Sequence, residues 1–216
     1  MNFFAHAYLA AERSADAAFV LGAMLPDLCA FAGSRLGLAP SAALGDGVRF
    51  HRATDAVFHA NSAFNARCTQ LADALQARGV RRGPARGVAH VANELLLDGW
   101  LAREAGVPVL YRRALGEAAR LLGDSDLDPN ASDGVAEICA RLQGAPVPES
   151  YADAGFVCAR VERALASRPY LALAANELSA VASALRDAAS ESVLWAPSAL
   201  ASVARALDDE RLKETT

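Results

Sequence analysis

Two segments of the sequence carry imidazole and carboxylate side chains at intervals of four residues. The two trios are His51, Asp55 and His59, and His90, Glu94 and Asp98. An α-helix turns by about 100° per residue, so residues four apart lie along one stripe of its surface. Helical proteins build dinuclear metal sites from such stripes on facing helices. Imidazole and carboxylate ligands without thiolates suit Zn, Mn, Fe or Mg.

A His–Asp pair four residues apart is also common on exposed helices, where it does little. The neighbours of the trios favour a site over this alternative. Val57 and Phe58 flank the first trio, and residues 95–97, all leucine, flank the second. Burying ionisable groups on helices this apolar is costly unless the groups are paired or bind a metal. We therefore predict that these side chains meet in a site.

Hydrophobic periodicity predicts helices throughout the chain and shows no convincing alternating strand. The predicted helices are 2–12, 14–25, 43–61, 63–78, 84–105, 108–122, 133–142, 150–166, 170–192 and 197–213. Pro26 is predicted to end the second helix, with loops at 26–42 and 79–87 and an acidic turn at 123–133. The expected fold is an all-α multi-helix bundle in a single domain, 1–216. Residues 1–105 would hold the metal site, and 106–216 would complete the bundle and a pocket.

Composition excludes several classes of protein. The 216 residues are 53% hydrophobic and carry a net charge of −4, which argues against nucleic-acid or anionic-membrane binding. The longest apolar stretch, 17–33, is interrupted at Pro26 and Asp27 and is too short to span a membrane. The first residues lack the positive region of a signal peptide, and the four cysteines form no CxxC pair. We expect a cytoplasmic protein, and its apolar excess permits a homodimer.

Four segments resemble the bacterial acyl carrier protein phosphodiesterase family: MNFFAHAYLA, LGAMLPDL, FHRATDAVFH and NELLLDGWLAR. The resemblance covers about residues 1–105. It implies an all-helical, HD-domain-like fold and removal of the phosphopantetheine arm from holo acyl carrier protein. By this analogy, the family's acidic and imidazole positions are occupied by His6, Asp27, His51, Asp55, Glu94 and Asp98. Arg52 matches the arginine beside the family's histidine.

The chain departs from the family at two positions. His59 stands where the family tends to have Asp, and Asp98–Gly99 stands where the family reads Asp-His. An HxxxD followed by HxxxE, with an upstream His and a Pro-Asp pair, also resembles the zinc-dependent phospholipase C pattern. Both families are helical and use metals to hydrolyse phosphodiesters, and this shared chemistry is what we predict.

Our hypothesis is a metal-dependent phosphodiesterase with one or two divalent ions (Zn, Mn, Fe or Mg). The expected metal ligands are His6, Asp27, His51, Asp55, His90 and Glu94. Asp98 or His59 would act as general base or orient a ligand, and Arg52 would pair with a phosphate oxygen. Two alternatives remain open: a non-catalytic scaffold with a degenerate site, and a bundle whose C-terminal helices bind a lipid or acyl chain.

An arginine-rich segment, 77–87, contains no acidic residue. Its four arginines are Arg78, Arg81, Arg82 and Arg86. In a net-acidic protein this segment could dock an acidic carrier protein or a phosphate-bearing ligand. The alternative is an ordinary solvated loop.

Overall fold

The computed structural model of the chain describes residues 1–36, 42–123 and 128–214, with side chains through residue 209. In these ranges the chain forms eleven α-helices and no strand, which confirms the predicted all-α bundle. The helices are α1 (Phe3–Arg13), α2 (Ala17–Phe31), α3 (Ala42–Ala60), α4 (Ser62–Ala77), α5 (Arg82–Glu104), α6 (Val109–Gly116), α7 (Ala118–Gly123), α8 (Pro129–Gln143), α9 (Val147–Ser150), α10 (Ala154–Ala166) and α11 (Leu178–Glu214).

The helices group into two compact units. The first unit comprises Met1–Val57 and Ala105–Val147, and the second comprises Phe58–Glu104 and Pro148–Thr216. Helix α3 begins in the first unit and ends in the second. The single domain over 1–216 remains a prediction.

In the first unit, α2 packs against α1, α6 and α8. Helices α2 and α3 approach each other closely at two glycines. A Cβ on Gly22 would lie 2.2 Å from the carbonyl oxygen of Leu44, and one on Gly47 would lie 2.2 Å from that of Phe19. Because only glycine leaves this space, the backbones of α2 and α3 can come together. This close packing holds the beginning of α3 against the first half of α2.

The prediction that Pro26 ends the second helix is wrong, because α2 continues through it to Phe31. A proline inside a helix costs about 3 kcal/mol. Leu25 and Leu28, on either side of Pro26, are both fully buried. Burial of one such side chain is worth about 1.5–3 kcal/mol, enough for packing to offset the proline. Asp27 therefore lies within α2. Of the predicted loop 26–42, residues 37–41 lie outside the described residues.

In the second unit, α5 packs against α4, α10 and α11, and α4 also packs against α11. Helix α5 begins at Arg82, so the predicted loop 79–87 is wrong beyond residue 81. The reason lies far along the chain, in Glu177, which is only 2% exposed. Its carboxylate accepts hydrogen bonds from the backbone N–H of Arg81 at 2.8 Å and from the Arg81 guanidinium at 2.9 and 3.0 Å. Hydrogen bonds from Arg81 lower the pKa of Glu177 to about 2.

Two further boundaries differ from prediction. The helices predicted at 170–192 and 197–213 form one helix, α11, with Pro197 inside it. The helix predicted at 108–122 divides into α6 and α7. Of the predicted acidic turn, residues 124–127 lie outside the described residues, and Asp128 caps α8. Within the described residues, no helix combines the length and apolar character needed to cross a bilayer.

Candidate metal centres

Three helices of the first unit bring imidazole and carboxylate groups together. His6 comes from α1, Asp27 from α2 and His51 from α3, and their candidate ligand atoms all lie within 4.8 Å of one another. Asp55, one turn beyond His51 on α3, completes what we call the first cluster. Its Oδ1 atom lies 3.1 Å from His6 Nε2, and its Oδ2 atom lies 3.6 Å from His51 Nε2.

Hydrogen bonds hold both imidazole rings of the first cluster at their Nδ1 atoms. His51 Nδ1 lies 2.8 Å from the carbonyl oxygen of Ala23, which can only accept, so this nitrogen donates. His6 Nδ1 lies 2.7 Å from the hydroxyl of Thr54. The same hydroxyl lies 2.8 Å from the carbonyl oxygen of His51 and 3.0 Å from that of Phe50. Both rings are therefore held at Nδ1 with Nε2 facing Asp55. The neutral His51 ring keeps its lone pair on Nε2, and a cation beside Asp55 would favour the same tautomer of His6.

The electrostatics of the first cluster keep the imidazoles neutral and the carboxylate charged. Burial lowers the pKa of His6 to about 3, although its contact with Asp55 opposes the shift. Burial likewise lowers the pKa of His51. Burial alone would raise the pKa of Asp55, but its contacts with His6 and with the amino group of Met1, at 2.7 Å, bring it below the ordinary range. At neutral pH the cluster thus combines two neutral imidazoles with an ionised carboxylate.

This arrangement fits a bound cation. His6 is fully buried, and its Nε2 atom faces Asp55 Oδ1 at 3.1 Å. His51 Nε2 faces the other oxygen of the same carboxylate at 3.6 Å. Two nitrogens and two carboxylates around one point form a donor set that suits a divalent transition metal.

Two arginines of α3 differ in their surroundings. Arg52 is exposed and forms no hydrogen bond or ion pair with the residues that the structure describes. Its positive charge also contributes to the lowered pKa of His51, although burial is the main cause of that shift. Arg49, in contrast, pairs with Asp46 one turn earlier. Arg52 is therefore the arginine beside the first cluster that can bind an anion.

The second unit holds a second cluster, formed by His59 at the end of α3 and by His90 and Glu94 of α5. Their candidate ligand atoms also lie within 4.8 Å of one another. The Oε1 atom of Glu94 lies 3.2 Å from His90 Nε2 and 3.6 Å from His59 Nε2. Hydrogen bonds with Cys68 and Glu94 raise the pKa of His90 to about 10. In the absence of a metal, His90 and Glu94 therefore form an ion pair, whereas His6 and His51 of the first cluster are neutral.

The structure thus divides the first predicted trio. His51 and Asp55 join His6 and Asp27, whereas His59 joins His90 and Glu94. Asp98 belongs to neither three-ligand group in the described residues and is fully buried on α5. Sequence reasoning did not single out Thr54 or Cys68, which orient His6 and His90. No spacing rule marks such residues, because their role depends on contacts between helices.

Close packing within the second unit explains why position 99 is a glycine rather than the histidine of the family motif. A Cβ at this position would lie 2.3 Å from the carbonyl carbon of Tyr151 and 2.4 Å from the nitrogen of Ala152. Backbone atoms cannot move aside as a flexible side chain can. A histidine beside Asp98 would not fit this chain, so the glycine is a packing requirement.

The fold and the clusters define an all-helical protein with imidazole and carboxylate groups arranged as candidate metal ligands. The acyl carrier protein phosphodiesterase family model matches residues 1–104. This match confirms, over the N-terminal segment that contains both clusters, the resemblance seen in the four motifs. No curated protein and no solved structure is found to match the chain.

Proposed function

We propose that the protein is a metal-dependent phosphodiesterase that releases phosphopantetheine from holo acyl carrier protein. The observation that carries the proposal is that the Nε2 atoms of His6 and His51 are both directed at the carboxylate of Asp55 inside the first unit. The match of residues 1–104 to the acyl carrier protein phosphodiesterase family supports the choice of substrate.

His6, Asp27, His51 and Asp55 would hold the metal ion. A divalent ion bound there would polarise a phosphoryl oxygen and lower the pKa of a water molecule. Two imidazole ligands favour Zn, Mn or Fe over Mg, which prefers oxygen. Asp55, with a side chain 34% exposed, stands at the solvent side of the cluster, whereas His6 is fully buried. A substrate phosphate would therefore approach past Asp55.

Side chains outside the first cluster would act on the substrate. Arg52, exposed and without a protein partner in the described ranges, would bind a phosphate oxygen. Asp98 is fully buried, which suits orienting its neighbours better than proton transfer.

Only two of the four arginines in the arginine-rich segment would be available to dock the carrier protein. Arg78 pairs with Asp187 at 2.9 Å, and Arg81 pairs with Glu177. Arg82 and Arg86, on the first turns of α5, are exposed and have no ion pair among the described residues. These two arginines are the ones we expect to attract an acidic carrier protein.

The experiment is to measure phosphopantetheine release from holo acyl carrier protein by the metal-free protein, before and after addition of Zn²⁺, Mn²⁺ or Fe²⁺. The variants are His51→Gln and Asp27→Asn, with Arg49→Gln as the matched control on α3. We expect metal-dependent release that falls at least about 100-fold in the two ligand variants and is unchanged in the control.

Hydrolysis of bis(p-nitrophenyl) phosphate, measured in parallel, separates chemistry from substrate choice. If the protein hydrolyses this compound but releases no phosphopantetheine from the carrier protein, the proposed phosphodiesterase activity stands and the proposed substrate is wrong. No bound metal and no hydrolysis of either compound would overturn the enzyme altogether and leave a helical binding protein.

A further inference from the structure

We propose that His59, His90 and Glu94 form a second metal site, which binds a divalent ion of its own. This inference concerns binding alone and does not depend on the function proposed above. Its starting point is that two imidazoles approach one carboxylate oxygen. His90 Nε2 lies 3.2 Å and His59 Nε2 lies 3.6 Å from Oε1 of Glu94.

The two imidazole rings are held in matching orientations. Their planes differ by 12°, and their centroids are 5.1 Å apart. The ring of Phe64 meets both of them edge-on, with centroids 5.5 Å from His90 and 5.7 Å from His59. Phe64 is itself buried, so its contacts restrict the orientation of both imidazole rings. Nearly parallel rings with both Nε2 atoms directed at one oxygen enclose a point that a cation can occupy.

A partly buried network on α4 and α5 orients His90. Cys68 forms a hydrogen bond with the imidazole of His90. The sulfur of Cys68 lies 3.8 Å from the amide of Asn93, which donates to it, and 3.8 Å from the carbonyl of Ala89. Metal-binding histidines characteristically have such a partner, which fixes the ring and its tautomer. Cys68 is thus a positioning residue for the second site.

An ion pair between His90 and Glu94 explains only part of this arrangement. These residues are four apart on α5, where such pairs are common. The pair does not require His59, which comes from another helix and approaches the same oxygen atom. A cation shared by two nitrogens and one oxygen accounts for all three contacts.

The donor set and its exposure indicate what would bind. Two imidazoles and one carboxylate also form the ligand set of catalytic zinc sites that keep an open position. The side chains of His59 and His90 are 37% and 49% exposed, so an ion can enter from solvent. With three protein ligands, the ion would keep positions for water or for a phosphate oxygen. Zn²⁺, Mn²⁺ and Fe²⁺ are the candidate ions.

The test is the number of Zn²⁺ ions bound per chain, measured on the full-length protein by equilibrium dialysis and elemental analysis. Glu94→Gln removes the carboxylate of the second site at nearly constant shape. Glu104→Gln, at an exposed position of the same helix, is the matched control. Asp27→Asn probes the first cluster. Circular dichroism and thermal unfolding establish that each variant is folded.

We expect two ions in the unaltered protein and in Glu104→Gln, and one in Glu94→Gln. One ion in the unaltered protein, retained by Glu94→Gln, would overturn the second site. One ion that is lost in both Glu94→Gln and Asp27→Asn would also overturn it, because a single ion would then need both clusters. One ion that is lost only in Glu94→Gln would support the second site and remove the basis of the function proposed for the first.

Absorption spectra of the Co²⁺-loaded protein provide a readout independent of counting. Visible bands of the unaltered protein that exceed those of Glu94→Gln would report the ion held by the second cluster. Superimposable spectra at saturating Co²⁺ would contradict the proposal.

Discussion

The imidazole rings of His6 and His51 stack with their centroids 3.8 Å apart and their planes 29° from parallel. The two residues are 45 positions apart in the sequence and belong to different helices, α1 and α3. Each ring is hydrogen-bonded at Nδ1 to an oxygen of α2 or α3, and both Nε2 atoms are directed at Asp55. The backbone and one threonine thus prepare both rings for a cation.

Thr54 should determine the metal affinity of the first cluster without touching the metal. Thr54→Val removes the hydroxyl that is hydrogen-bonded to His6 Nδ1, so the ring loses the contact that orients it. We expect metal affinity to fall about 10- to 100-fold. Isothermal titration with Mn²⁺ or Zn²⁺ measures this. Thr69→Val is the control, because Thr69 also donates to a carbonyl one turn earlier, at 3.0 Å, but is exposed. Equal affinities for the two variants would contradict the proposed role of Thr54.

Acidification should destabilise the metal-free protein through His6. An unfolded histidine has a pKa near 6.5, whereas burial lowers the pKa of His6 to about 3. Between these values the unfolded chain binds a proton that the folded protein does not, so stability falls as the pH falls. One such group contributes a slope of about 1.4 kcal/mol per pH unit, and His51 acts in the same direction.

Urea unfolding in the presence of a chelator, from about pH 7 to about pH 5, measures this dependence. His6→Gln should have a shallower slope than the unaltered protein, whatever its absolute stability. Parallel slopes would show that His6 is not the group responsible.

Gly99 should tolerate no side chain. Gly99→Ala places a Cβ 2.3 Å from the backbone of Tyr151, so residues of the second unit must separate. We expect a loss of at least about 3 kcal/mol in unfolding free energy, the upper end of the overpacking range. Gly123→Ala is the control, because a Cβ there meets nothing within 4 Å. Chemical denaturation compares the two. Gly99→His, which restores the residue that the resemblance led us to expect, should fold less well still.

Substitution of Arg82 and Arg86, on the first turns of α5, should weaken binding of the carrier protein and leave the hydrolysis of small substrates unchanged. Arg82→Glu combined with Arg86→Glu reverses their charge, and we expect KM for holo acyl carrier protein to rise about 10-fold with kcat nearly unchanged. The effect should weaken at high salt. Arg103→Glu reverses an arginine at the other end of α5 and serves as the control. Equal losses on bis(p-nitrophenyl) phosphate would show that the substitutions act on the site rather than on docking.

The sequence by itself determined the helical class, the position of both trios on α3 and α5, and the resemblance over the first 104 residues. These features could be predicted because helical periodicity and motif spacing are local. A residue four positions from another shares its helix face in any fold.

Only the tertiary structure decided which of these side chains meet. His59 lies on the same predicted stripe as His51, yet it joins His90 and Glu94. Because the side chains around Pro26 are buried, α2 continues past this proline, and Asp27 lies beside His6. The backbone near Tyr151 leaves no space for a side chain at Gly99. Each outcome depends on packing between segments distant in sequence, which no local pattern encodes.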